Sequence, residues 1–256
     1  MNINKNNIMN NKKEAINKLD NMLNDLINTD DLRHNKKANL LSYWLKTFVD
    51  YLKWEDTFDY TKISRFKRGE IISINLGFNV GSEQGGLHYA IVLDNDNKQS
   101  SPVLTVIPLS SGDEGKAHKN DVYLGNELYD KLVIKYNKLL NKLTNELEET
   151  NRILNTLKNS LQDMQKVPTK INELTNDLEK RINSINAQKQ LLTSYEKDIS
   201  KMKEGSIALI GQITTVSKMR IYKPKNSYDL LYNVKFSDGA MDKINKKILE
   251  LFIHQS

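Results

Sequence analysis

Residues 67–96 read KRGEIISINLGFNVGSEQGGLHYAIVLDND. Ile72, Ile74 and Leu76 alternate with polar neighbours, the period of a strand with one buried face. Residues 90–93, AIVL, form a short apolar run rich in β-branched side chains, a second strand. Between the runs lies GSEQGG, and His88 follows it. The stretch from Gly81 onward holds three of the chain's 11 glycines and one of its four histidines, more than a simple turn requires. Glycine permits positive φ and close backbone approach, and exposed N–H groups in such a loop can receive a phosphate. A histidine titrates near neutrality and can act as acid or base. A tight turn and a binding or catalytic loop are therefore both open at this point.

Outward from this stretch the chain divides into blocks. Residues 103–109, VLTVIPL, continue the β pattern after the polar turn DNDNKQSSP. Residues 126–203 switch to a three–four apolar alternation that runs from Leu128 to Met164 and resumes from Ile171 to Met202. Thr150 is a polar exception, and a turn is expected around Pro168. Both arms lack glycine. The pattern predicts an antiparallel coiled-coil hairpin with arms of about 36 residues, roughly 54 Å long. Its ends must lie side by side, so it can be inserted into a β unit without breaking it. GSIALIGQITTVSKMRI then returns to strand, and DGAMDKINKKILELFI reads as a closing amphipathic helix. Ahead of everything, residues 1–62 carry two helical series, with the first ten residues polar and frayed. The expected organisation is an N-terminal helical extension at 1–64, a β domain at 65–125 and 204–256, and an inserted coiled-coil hairpin at 126–203.

Composition bounds the chemistry. The 256 residues contain no cysteine, which excludes disulfides and thiolate catalysis. No run of about 18 apolar residues occurs and the first residues lack a signal-type apolar core, so the expectation is a cytoplasmic protein without a membrane span. The net charge of +6 is compatible with nucleic acid but is spread without a dense basic block. The four histidines show no metal-ligand spacing, and neither a metal nor a cofactor is expected.

The quoted stretch resembles the opening of the MazF/PemK family of toxins: a basic residue, RG(D/E), a strand, a GSEQ-GG loop and an apolar strand. VLTVIPLSSG is similar to the family's next segment, a strand ending in a small hydroxyl residue. IALIGQITTVSKMRI and DGAMDKINKKILELF resemble the third segment and the terminal helix. The resemblance spans residues 66–124 and 205–256. It implies an α+β fold: a small SH3-like antiparallel β-barrel with a C-terminal helix, here joined by N-terminal helices and the inserted hairpin. It further implies a homodimer, a cognate antitoxin protein as partner, and metal-independent endoribonuclease activity on single-stranded RNA within a toxin–antitoxin or phage-defence system. A related branch of the fold acts on DNA gyrase without cutting anything, so a non-catalytic toxin binding gyrase or another nucleic-acid machine is the alternative.

Cleavage through the 2′-hydroxyl needs a base, an acid, and donors or positive charge at the phosphate. His88 stands where relatives usually carry arginine, and Tyr89 where proline is common; His88 is the candidate proton shuttle. Ser110 stands where the family has its catalytic hydroxyl, with Ser111 one residue out of register, and a strand-end turn is the plainer role for either. Glu83 is a candidate base or orienting group, against simple solvation. Gln84, Gly85 and Gly86 are candidates for meeting RNA in the loop. Arg68, Lys218 and Arg220 are candidate phosphate contacts, against ordinary surface charge, and His118 is a candidate contact from a later loop. The hairpin is read as a rigid spacer or a partner-binding arm.

Overall fold

The computed structural model describes residues 4–162 and 168–253. The chain separates into two units, one of residues 1–59 with 76–86 and the other of residues 60–75 with 87–256.

The first unit is built on two long helices, α1 (Lys5–Ile27) and α2 (Leu32–Trp54). Asn4 caps α1 by accepting from the Asn6 N–H, so this helix begins inside the polar stretch expected to fray. Asp31 caps α2 through Arg33 N–H at 2.8 Å. Neither helix has much to bury: α1 contains no buried residue and α2 only Ala38. The loop 76–86 belongs to this unit and closes on itself. Leu76 N–H donates to Gly86 O at 2.8 Å, Gly86 N–H to Gly77 O at 2.6 Å, and the Asn79 amide to Gln84 O at 2.7 Å.

The second unit is an antiparallel sheet with helices against it. Its strands are β1 (Phe66–Lys67), β2 (Ile71–Asn75), β3 (Leu87–Val92), β4 (Asp96–Asn97), β5 (Val103–Ser111), β6 (Val122–Tyr123), β7 (Ser206–Ala208), β8 (Thr214–Ser217) and β9 (Ile221–Lys223). β1 pairs only with β4. The main path runs β6-β7-β5-β3-β2-β9, with β8 also on β5. The path ends on β6 and β9, so the expected barrel is not closed. β5 is the organising strand. Its first half pairs with β8 (Val103↔Ser217 to Val106↔Thr214) and its last residues with β7 (Ser110↔Ile207). The exchange falls around Pro108, which has no N–H to give a ladder, while its carbonyl still accepts from Leu209 N–H at 3.0 Å. A register shift at Ser73/Ile74, where β2 meets β9, sets Ser73 opposite Lys223.

The hairpin is two helices, α3 (Glu127–Gln162) and α4 (Pro168–Ile199), and the expected turn before Pro168 lies outside the described residues. Pro168 itself opens α4, a position where its missing N–H costs nothing. Glu146 meets Gln188 while Leu128 and Met202, at the base, both belong to the core of the sheet, which makes the pair antiparallel. The base is not a solvated spacer. Leu128, Leu132 and Tyr195 are buried in one core with Ile71, Ile91 and Ile107 of the sheet. Ala240, Met241 and Ile244 of α5 (Asp238–Phe252) complete it. Tyr195 Oη donates to Tyr228 O at 2.8 Å. Lys135 Nζ donates to the carbonyls of Asp229, Leu230 and Tyr232 at 3.1, 2.9 and 2.8 Å. Further out, Leu143, Ile185 and Leu192 form a separate small cluster between the arms.

Candidate active site

β3 and β5 bring the two principal candidates together. They pair from Ala90↔Pro108 to Val92↔Val106, so the start of β3 lies beside the end of β5. His88 Nδ1 is 3.1 Å from Leu109 O. A carbonyl oxygen only accepts, so Nδ1 carries the hydrogen and, in the neutral ring, Nε2 is the nitrogen with the basic lone pair. The bond pins the imidazole to the residue preceding Ser110. His88 and Ser110 are both half-buried, Ser111 is exposed, and all three line a cavity of about 600 Å³ in the second unit.

Ser73 of β2, Ser206 of β7 and Lys223 of β9 also line the cavity. The base of the hairpin lines it as well. Ser194, Lys197 and Asp198 fall at i, i+3 and i+4 on α4, one face of a helix, and Lys201 lies in the turn just past its end. Lys203 follows in the connection to β7. Asp198 is ion-paired with Lys223. Burial, reinforced by the Asp198 charge, pushes the Tyr89 phenol up to about 12, so it remains protonated throughout the physiological range. The hairpin's part in this cavity was not readable in the sequence. Its only trace there is a polar i, i+3, i+4, i+7 set beside the apolar Tyr195, Ile199 and Met202, a pattern common to any exposed helix face.

The other candidates are not among the residues that line this cavity. Glu83, Gln84, Gly85 and Gly86 belong to the first unit. There the Glu83 carboxylate accepts from Val80 N–H at 3.3 Å, and Gly85 packs so close to Gly77 O that a Cβ would lie 2.8 Å from it. Arg68 donates to Leu93 O and to Asn245 Oδ1. Lys218 is fully buried and donates to Lys98 O at 3.0 Å; burial pushes its ammonium down, opposed by Asp94. Its charge is thus spent on the fold's interior. Arg220 is half-buried just before β9, and His118 is exposed on the loop after β5. Among the described residues no three His, Asp or Glu side chains gather as a metal site, and no helix is long and apolar enough to cross a membrane.

No curated protein matches the chain. The family model for PemK-like, MazF-like toxins of type II toxin–antitoxin systems matches residues 67–175. That interval holds the opening stretch, both strands that carry His88 and Ser110, and α3. Residues 205–256, which complete the same sheet and end on α5, lie beyond it. Over residues 67–175 the chain is thus similar to the PemK-like, MazF-like toxins of type II toxin–antitoxin systems.

Proposed function

We propose that the protein is a toxin-type endoribonuclease that cuts single-stranded RNA by 2′-hydroxyl attack, with His88 as base and Ser110 as phosphate donor. The observation that carries this is the His88 Nδ1–Leu109 O bond beside a cavity that His88 and Ser110 both line. In the step proposed, His88 Nε2 takes the proton of the 2′-hydroxyl. The O2′ then attacks phosphorus in line while Ser110 Oγ donates to a non-bridging oxygen. The bond to the 5′-oxygen breaks and that oxygen takes a proton from solvent water, while His88 later returns its proton to solvent, leaving a 2′,3′-cyclic phosphate and a 5′-hydroxyl. No step calls on a metal. The loop residues Glu83 to Gly86 carry no step in this mechanism. The same reading takes the protein to be a cytoplasmic homodimer held in check by a cognate antitoxin. It also takes residues 65–125 with 204–256 as the catalytic domain, 1–64 as an extension and 126–203 as an insertion.

The test is incubation of purified protein with mixed RNA, beside a His88→Ala variant whose thermal midpoint matches the parent. The expected result is cleavage by the parent, unaffected by EDTA, with cyclic phosphate ends, and loss of at least about a hundredfold in the variant. Equal cutting by the variant, or 3′-hydroxyl ends, overturns the assignment. A protein that cuts nothing but blocks gyrase supercoiling belongs to the non-catalytic branch instead.

A further inference from the structure

Four lysines line the cavity, Lys197, Lys201, Lys203 and Lys223, against a single carboxylate, Asp198. Asp198 is taken up by Lys223. The uncompensated positive charge therefore belongs to Lys197, Lys201 and Lys203. None of these three joins an ion pair among the described residues. All three come from the end of the inserted hairpin and the connection that follows it. They are held in place because the end of α4 and the residues just after it bury Tyr195 and pack Ile199 and Met202 against the core.

A histidine acting as a base is uncharged when the reaction starts, so it brings no fixed positive charge to a phosphate that becomes more negative at the transition state. Cations beside the scissile group meet that need. We infer that the base of the inserted hairpin is part of the substrate site, with Lys197, Lys201 and Lys203 binding the phosphates of a single-stranded RNA whose scissile group lies at His88 and Ser110. This rests on the endoribonuclease reading above. The hairpin then belongs to the toxin's working surface, and Asp198 acts as a positioning residue that holds Lys223.

The experiment uses the full chain with His88→Ala, so that the proposed cleavage does not consume the probe, and a labelled single-stranded RNA of mixed sequence. Binding is measured across salt for this parent and for the same chain carrying K197A, K201A and K203A. Each lost phosphate contact on a single strand lowers the salt slope by about 0.7, so the triple variant should lose about 2 in slope. The parent's loss of affinity between about 50 and about 200 mM salt should then exceed the variant's by roughly 20-fold. The three lysines are exposed, so the thermal midpoint should not move, and the corresponding Lys→Arg triple should restore the slope. An unchanged slope and affinity in the alanine triple, with the wild type still cutting RNA, overturns this inference and leaves the endoribonuclease reading standing. A wild type that neither binds nor cuts RNA overturns both.

Discussion

Gly77 shows what a single residue of the loop must do. Its φ is +88°, and a Cβ there would lie 2.7 Å from Trp44 Cζ2. Gly77→Ala therefore meets strain in the backbone and in the contact together, and should destabilise the first unit by about 1–3 kcal/mol. Thermal unfolding checks this, and an unshifted midpoint contradicts it. Tyr89 gives a pH prediction. Its folded value of about 12 lies above that of a free phenol, so its stabilising share is complete below about pH 10 and is lost as pH rises toward the folded value. Stability should fall by about 2–3 kcal/mol across that window, and Tyr89→Phe should flatten this alkaline limb. An unchanged limb in the variant would assign the fall to other groups. The sequence marked the loop and His88 as unusual, because glycine and histidine are rare enough here to stand out. It did not show that Gly85 is needed for close approach to Gly77 O, or that Leu109 O selects the imidazole tautomer.

At the scale of elements, Glu127 joins two helix starts. It sits in the first turn of α3, accepts from Lys131, and accepts from the N–H and Oγ of Ser237, the N-cap of α5. Burial alone would raise its carboxyl. The hydrogen bonds from Lys131 and Ser237 together outweigh that and hold it below the usual carboxylate range. A depressed value means stability present above the unfolded value of about 4.3 and lost as pH falls through the folded one. Glu127→Gln should therefore weaken the fold at neutral pH, by about 1 kcal/mol after allowing for the solvent that reaches the site, and should shrink the acid limb. Acid titration of the unfolding midpoint measures both, and identical limbs would show that the junction gains nothing from the charge. The two arms were legible from their apolar spacing, and so was the polar exception at Thr150. That residue is buried, with Oγ1 donating to Glu146 O at 2.7 Å in its own helix. The two-residue strands β1, β4 and β6 were not legible, since so short a run carries no period.

For the molecule as a whole, where the hairpin joins the sheet matters more than its length. Leu128 and Leu132 lie in the same core as Ile71 and Ile244, each burial contributing about 1.5–3 kcal/mol. Deleting residues 128–202 should therefore leave the β domain unfolded, with loss of the cooperative thermal transition. Replacing residues 151–183 by a short glycine-rich turn should preserve folding and RNA cleavage, because it removes only the outer arms. A folded, active product from the larger deletion would show that the base of the hairpin is dispensable and would also count against the lysine wall.

The chain by itself determined what depends on near neighbours. Strand period, helix period, the glycine loop and the family signature around His88 and Ser110 are all written within a few residues of one another. The tertiary structure alone decided what depends on distant ones. It opened the expected barrel by ending the sheet on β6 and β9, and it drew Lys218 inside. It also set the end of α4 against the cavity that His88 and Ser110 share. The physical reason is that burial and charge partnership belong to packed surfaces, and no local pattern records which surfaces will meet.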